Sequence, residues 1–506
     1  MNYKRFYCPD RMQVMMLPPC IDDWVPEDHP ARFIAEIVDQ LDLTGFYNKY
    51  GDRGARAYDP GMLLALLIYN YSTGVFSSRK IEKATYETVP SRFLTGNMHP
   101  DHDTIANFRK KFLPEIQECF KQVIVLAREM GLVQMGNIYI DGTKVKANAS
   151  KHKAMSHKYL VALEAKLEQE IKQLLEMAKA ADEQTKEIDI PEELKRREDR
   201  LASLKAAKKI LKERAQERDE AKEAEYQEKL RVWKEKEKNK QRRGRKPEPP
   251  KDKGPQDKDQ ISFTDSESRI MKTCDGFQQC FNAQAAVTED MLIVGQIVNN
   301  HGNDKGELLP TLDSIPKELG QIENVIADNG YLTVEGVEGC NERDVKAYVS
   351  LGREATASAS PLEKQEESKE RPRFKEMQER LLTEEGKELY RRRKFKVEPV
   401  FGIIKEVVGF RRFSLRGEAN VQKEWGLVCL AYNVKMMFGM VKRGKMADST
   451  HKRLENDIYK RKALAFVFIV EKLIYVSMVN INMRVIQSLL IPILVAFSHR
   501  RCHLSH

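Results

Sequence analysis

The chain has 506 residues, 41% hydrophobic and 32% charged, with a formal net charge of +10 and a sequence pI of about 8.9. That length exceeds one ordinary core, so two or three domains are expected, and the locally concentrated basic excess favours a polyanionic partner. Eight cysteines form no C-x-x-C pair and the ten histidines supply no matching ligands. This argues against a zinc site, and without a signal peptide the cysteines are expected to be reduced thiols in a cytoplasmic protein.

Residues 1–135 read as a helical domain. "PGMLLALLIYNYSTGVFSS" has a proline at an early helical position and a long apolar run, and the serines that follow suit an N-cap. In "PDHDTIANFRKKF", Asp101 or Asp103 caps a helix carrying Asn107, Arg109, Lys110 and Lys111. Short helices joined by tight turns, the last one basic, fit a helix-turn-helix-like DNA reader. A small helical bundle with a charged outer face fits the same pattern.

Residues 136–154 carry one strand, "NIYIDGTKVKAN", which ends its apolar alternation at Asp141 and then turns basic at Lys144 and Lys146. Residues 155–260 change character. Leucines and alanines at three- and four-residue spacing predict two long helices forming an antiparallel hairpin broken near Pro191. The basic cluster "KNKQRRGRK" and the linker "PEPPKDKGPQDKDQ" follow, and the linker is expected to be disordered.

Over residues 261–440 a ββ-α-β-β-α pattern resumes. "FQQCFNAQAAVT" and "MLIVGQIVNN" predict a hairpin turning at Glu289 and Asp290, "KGELLPTLDSIPKEL" a helix, "ENVIADNGY" a strand ending in Asp328 and "VKAYVSL" another strand. A charged stretch and a helix bearing Glu398 follow. The fold class expected is α/β: a mixed sheet with helices, preceded by an all-α domain and interrupted by the hairpin. The tail, 441–506, is apolar but broken by Glu471, Lys472 and Arg484, and its longest clean run is short for a membrane span. It is expected either to pack on the core or to be read-through sequence, with no membrane association.

Carboxylates at the carboxyl ends of strands face the crevice where α/β sheets bind ligands. Asp141 and Asp328 have that placement, and the apolar Val400, Phe401, Ile403 and Ile404 would turn the Glu398 helix onto the sheet. Three converging carboxylates hold two Mg²⁺ ions, which stabilise both the attacking and the leaving oxygen of a phosphoryl displacement. Gly142 and Gly330 would let a phosphate backbone approach, with Lys144, Lys146, Arg393 and Lys405 contacting it by charge. Taken alone, an aspartate after a strand is most often a turn or cap residue. Trp425 is expected in the core, stacking on a base being the alternative.

Seven segments in this order resemble the DDE transposases of bacterial insertion sequences: "DHPARFIAEIVDQLDL", "YDPGMLLALLIY", "DHDTIANFRKKF", "YIDGTKVKANAS", "FTDSESRIMKTCDGFQQCFNAQAAV", "VIADNGY" and "YRRRKFKVEPVFGIIKEVVGFRRFSLRG". The resemblance spans roughly residues 20–440 and is closest to the branch with a helical N-terminal domain before a ribonuclease-H-like catalytic domain. It implies that Asp141, Asp328 and Glu398 are catalytic metal ligands and that Tyr390, Arg393, Glu398 and Lys405 form the signature of the glutamate helix. The Arg393-to-Glu398 gap is one residue longer than usual, and Lys394 would give the shorter gap. The resemblance further implies Mg²⁺, with Mn²⁺ as a substitute, double-stranded DNA as partner and a homodimer on the two element ends. Lys405 steadies a phosphate, and Arg411 and Arg412 add backbone contacts. Asp265 and Arg269 match the family pattern with no role beyond a turn. The hairpin would dimerise, clamp DNA or stand solvated. The competing expectations are a catalytically dead DNA-binding copy and another two-metal nuclease of the same fold.

Overall fold

The computed structural model describes residues 20–51, 56–150, 154–181, 190–238, 246–250, 253–351 and 374–444. Two units make up the chain, residues 1–128 with 133–439 and residues 129–132 with 440–506. Of the second, the described part is the loop after α7 and the last turn of α14. The tail from 445 and the basic cluster at 239–245 lie outside the described residues.

Among the described residues, a 3-10 turn (Ile21–Trp24) is followed by α1 (Pro30–Asp39), α2 (Thr44–Tyr47), α3 (Pro60–Ser72), α4 (Ser78–Glu87), α5 (Val89–Leu94), α6 (His102–Lys111) and α7 (Leu113–Glu129). Pro60 opens α3, where Asp59 accepts from the Met62 amide, and Asp101, not Asp103, caps α6 by accepting from Thr104 N at 2.6 Å. Ser77 precedes α4 but makes no side-chain cap bond.

Strand β1 (Asn137–Lys146) leads into the hairpin, where β2 (Ala154–Ser156) and α8 (His157–Ala181) meet α9 (Ile190–Lys238) and β3 (Gln260–Ser262). The turn near Pro191 begins outside the described residues. Lys208 bonds Glu164 at 2.6 Å and Arg197 bonds Glu170 at 3.1 Å, so the helices are antiparallel. Leu160, Leu167, Leu204, Ala207 and Leu211 form the seam with Ile261 of β3. Antiparallel pairing of β2 with β3 closes the base. The linker is more ordered than expected over its described part. Arg218 donates to Gly254 O at 2.8 Å and to Asp259 Oδ2 at 2.9 Å, which ties the linker along α9.

The catalytic-side elements continue with β4 (Arg269–Thr273), β5 (Gly276–Val287), β6 (Ile293–Asn299), α10 (Leu308–Asp313), β7 (Asn324–Ala327), α11 (Val334–Glu342), β8 (Lys346–Val349), α12 (Lys375–Leu382), α13 (Glu384–Gly402) and α14 (Glu418–Lys442). Strand β4 and helix α11 are absent from the sequence expectation, and the helix expected after β6 is shorter, ending before Pro316. The sheet runs β4-β5-β1-β7-β8, with β6 also on β5. β5 is antiparallel to β1, β4 and β6, whereas β1, β7 and β8 are parallel. This mixed sheet with its N-terminal helical region is the expected fold class. Its centre is mostly apolar: Ile138, Tyr139, Ile140, Phe281, Ala283, Ala285 and Val287 are all 0% exposed, with the amides of Asn282 and Gln284 buried among them. Trp425 is buried in the core, its Nε1 donating to Gln284 O at 3.1 Å.

Candidate active site

Parallel pairing positions the two aspartates. Tyr139 faces Ile326 across β1 and β7, and extending that register by two residues sets Asp328, just past the end of β7, beside Asp141, which lies inside β1 where that strand runs on to Lys146. Each carboxylate is fixed by a local amide: Asp141 Oδ1 accepts from Gly142 N at 2.8 Å, and Asp328 Oδ1 accepts from Gly330 N at 2.8 Å.

The third acid arrives on α13. Val397, Val400 and Phe401 bury one face of that helix, which packs on β1, β5 and β7. Lys396 fixes its position by donating to Glu289 O at 2.7 Å and pairing with the Glu289 carboxylate at 3.1 Å. Glu398 projects from the exposed side. Arg393 joins the two parts of the site. Its guanidinium, 5% exposed, lies 3.5 Å from Asp141 and 3.7 Å from Glu398, and 5.9 Å from the centre of the half-buried Tyr390 ring. It was expected to meet DNA; instead it is buried among acids, and this pairing favours Arg393 over the exposed Lys394 as the signature arginine.

One π-helical turn, Ile403–Val407, follows α13 and carries Lys405; such turns recur at functional sites. Lys405 Nζ donates to Lys144 O at 2.9 Å, and burial pulls its ammonium below the ordinary lysine range. Arg411 and Arg412 are exposed just beyond it, where Arg412 bridges to Lys146 of β1 and Arg411 pairs with Glu406. Lys144 is partly exposed.

Burial pushes the Asp141 carboxyl up to about 7, against the pull of Arg393 and the Gly142 amide, and the charges of Asp328 and Asp304 add to the rise. The site therefore carries surplus negative charge that a cation would relieve. All its donors are hard carboxylate oxygens, which suits Mg²⁺. Among the described residues no three acidic, histidine or cysteine side chains are already gathered for a metal ion. The chemistry of the donor set fits a divalent cation, and Arg393 supplies part of the positive charge.

Two further expectations are corrected. Gly142 does not leave room for a phosphate: a Cβ there would lie 2.5 Å from Gln284 Nε2 and 2.7 Å from Asp304 Oδ1, so the missing side chain makes room for those groups. Arg109 does not face DNA. It is 8% exposed and donates to the Tyr71 hydroxyl at 2.6 Å and to Phe76 O at 3.2 Å, inside the helical domain. Asn107 and Lys110 are exposed on the other side of α6. Asp265 is a turn residue: its carboxylate accepts from Glu267 N and Gly417 N, each at 3.3 Å.

Asp304, absent from the sequence reading, sits in the loop after β6. Its Oδ1 accepts from Asn282 Nδ2 and Gln284 Nε2, both at 2.8 Å. The available signal was the polar pair in "FNAQAAV", two residues apart in an otherwise apolar strand.

Residues 19–111 match a family model described as a transposase domain (DUF772), and residues 245–434 match one described as a transposase DDE domain. The chain belongs to the DDE transposases of insertion sequences. The second match implies a ribonuclease-H-like fold for the mixed sheet. It contains Asp304, Asp328, Glu398 and Lys405, while β1 with Asp141 lies in the stretch between the two matches. No curated protein and no solved structure matches the chain. Family membership supports a DNA-acting enzyme of transposition in a family that generally uses divalent metal ions. No helix among the described residues is long and apolar enough to cross a membrane.

Proposed function

We propose that this transposase cuts double-stranded DNA at the ends of its element and joins the freed 3′-OH to target DNA, with Asp141, Asp328 and Glu398 as the metal-holding triad. The observation that carries this reading is the β1–β7 register, which makes Asp141 and Asp328 neighbours, together with the Arg393 guanidinium that links Asp141 to Glu398. Asp141, Asp328 and Glu398 would hold Mg²⁺, or Mn²⁺ in its place, whose charge would make a bound water more acidic and stabilise a departing oxygen.

The protein groups divide the remaining work. Asp141 is common to both strand neighbours and so holds the centre of the site. Lys405, partly withdrawn from water, contacts a phosphate next to the cut. Arg411, Arg412 and Lys144 line the approach and hold the backbone by charge. Asn107 and Lys110 are the outward groups of α6 that read or hold the element end. Bringing two ends together calls for two copies of the chain on the DNA.

The test is cleavage of a plasmid carrying the element's own ends, with Mg²⁺ or with EDTA, by the wild-type chain and by Asp141→Asn. Nicking at the ends that needs metal and disappears in the variant is expected. Equal end binding by both proteins without any cutting would make this a DNA-binding copy lacking catalysis.

A further inference from the structure

The acids of the site do not end with the triad. Asp304 bridges the two strand-borne segments: its Oδ1 occupies the space left by the absent Gly142 side chain, and its Oδ2 lies 3.5 Å from where a Gly330 Cβ would be. Two amides orient it, Asn282 at 1% exposure and Gln284 at 0%. The Tyr331 hydroxyl donates to Gln284 in turn, which fixes the orientation of that amide.

A structural role alone accounts poorly for this arrangement. Two buried amide donors are satisfied equally well by a neutral carbonyl oxygen, which carries no repulsion. A carboxylate placed beside two others is costly unless a cation balances it. A cation already stands on the Glu398 side of Asp141 in the form of the Arg393 guanidinium, so these acids do draw positive charge.

We propose that Asp304 is a positioning residue of the metal site, whose negative charge, held between the Asp141 strand and the Asp328 turn, raises the site's affinity for a divalent cation. This rests on the three-acid reading above. It makes four acids, not three, responsible for the charge of the crevice, and it gives Asn282, Gln284 and Gly142 one shared purpose: holding Asp304 in place.

The full-length protein would be titrated with Mn²⁺ alone by calorimetry in metal-free buffer, as wild type, Asp141→Asn and Asp304→Asn. Asparagine keeps an oxygen for both amides and removes only the charge. Asp304→Asn is expected to weaken Mn²⁺ binding roughly 10- to 100-fold, the usual loss for an outer partner of a metal site. Its melting midpoint in EDTA should not fall below the wild-type value, because without a cation the removed charge was only repulsive. Wild-type affinity in Asp304→Asn, alongside lost binding in Asp141→Asn, would overturn the role of Asp304 and leave the triad standing. Undiminished binding in both variants would overturn the triad itself. Should Asp304→Asn melt early, Asp304→Glu restores the charge on a longer arm. Glutamate binding Mn²⁺ more tightly than asparagine supports the proposal, and equal affinities overturn it.

Discussion

The sheet that carries the acids and the α8–α9 hairpin inserted into it are held by different means. β5 is buried from Gln279 to Val287, its edges paired with β1 on one side and β4 and β6 on the other and helices α10 and α13 packed against it. Its neighbours β4 and β6 are adjacent in the chain, but β1 comes from far away in the sequence, as do the β1–β7 pairs, so the registers that build the site are long-range decisions. The hairpin has one apolar seam, and its flanks are ion pairs such as Lys208–Glu164 and Lys205–Glu168. Its contacts are repetitive and spaced by helical turns. The lesson is that the region easiest to recognise from local pattern is the one least involved in chemistry, while the site depends on pairings that no local pattern announces.

That contrast can be tested in order of effect. The largest is functional and confined to the sheet: Asp141→Asn should cost end cleavage on the order of 10⁴-fold, with the far-ultraviolet dichroism unchanged. A variant that lost its folded signal would show the acid to be structural.

Leu204→Ala should remove about 2–4 kcal/mol from the hairpin, because a seam leucine at 3% exposure leaves a cavity. Hydrogen exchange should quicken in α8 and α9 while β1 and β5 stay protected. Equal loss of protection in both regions would make the two one cooperative unit. Gly142→Ala reverses that pattern. Its methyl collides with Gln284 and Asp304, costing about 1–3 kcal/mol, and the loss of protection should centre on β1 and β5. The smallest effect belongs to the hairpin flank. A double-mutant cycle on Glu164 and Lys208 should give a coupling of roughly 0.2–1 kcal/mol that shrinks with salt, as expected for a partly exposed pair. A salt-independent coupling well above that range would show the pair to be shielded from solvent.

Much of the architecture was legible. The strand carrying Asp141, the hairpin pairing of β5 with β6 and the basic α6 all follow from alternation, turn residues and caps, although that strand runs on to Lys146 and does not end at Asp141 as expected. β4 was missed because "RIMKT" is short and sits beside a turn, and α11 because "VEGVEGC" carries glycines that weaken a helical pattern. Arg109 and Arg393 were both expected at a DNA surface, since charge on a helix is most often outward. A long guanidinium reaches inward when a phenol, carbonyl or carboxylate waits there, and those partners belong to other segments: Tyr71 and Phe76 for one, Asp141 for the other.

Local sequence determined most of the helices and strands, caps such as Asp59 and Asp101, and that Asp328 stands at a strand end, because these depend on neighbours within a turn or two. Only the tertiary structure decided that Asp328 lies beside Asp141, that Arg393 spans Asp141 and Glu398, and that Asp304 stands between two glycines. Those facts rest on sheet register and on the seating of α13, set by burying apolar faces far apart in the chain, and a side chain's role follows from what such burial brings within its reach.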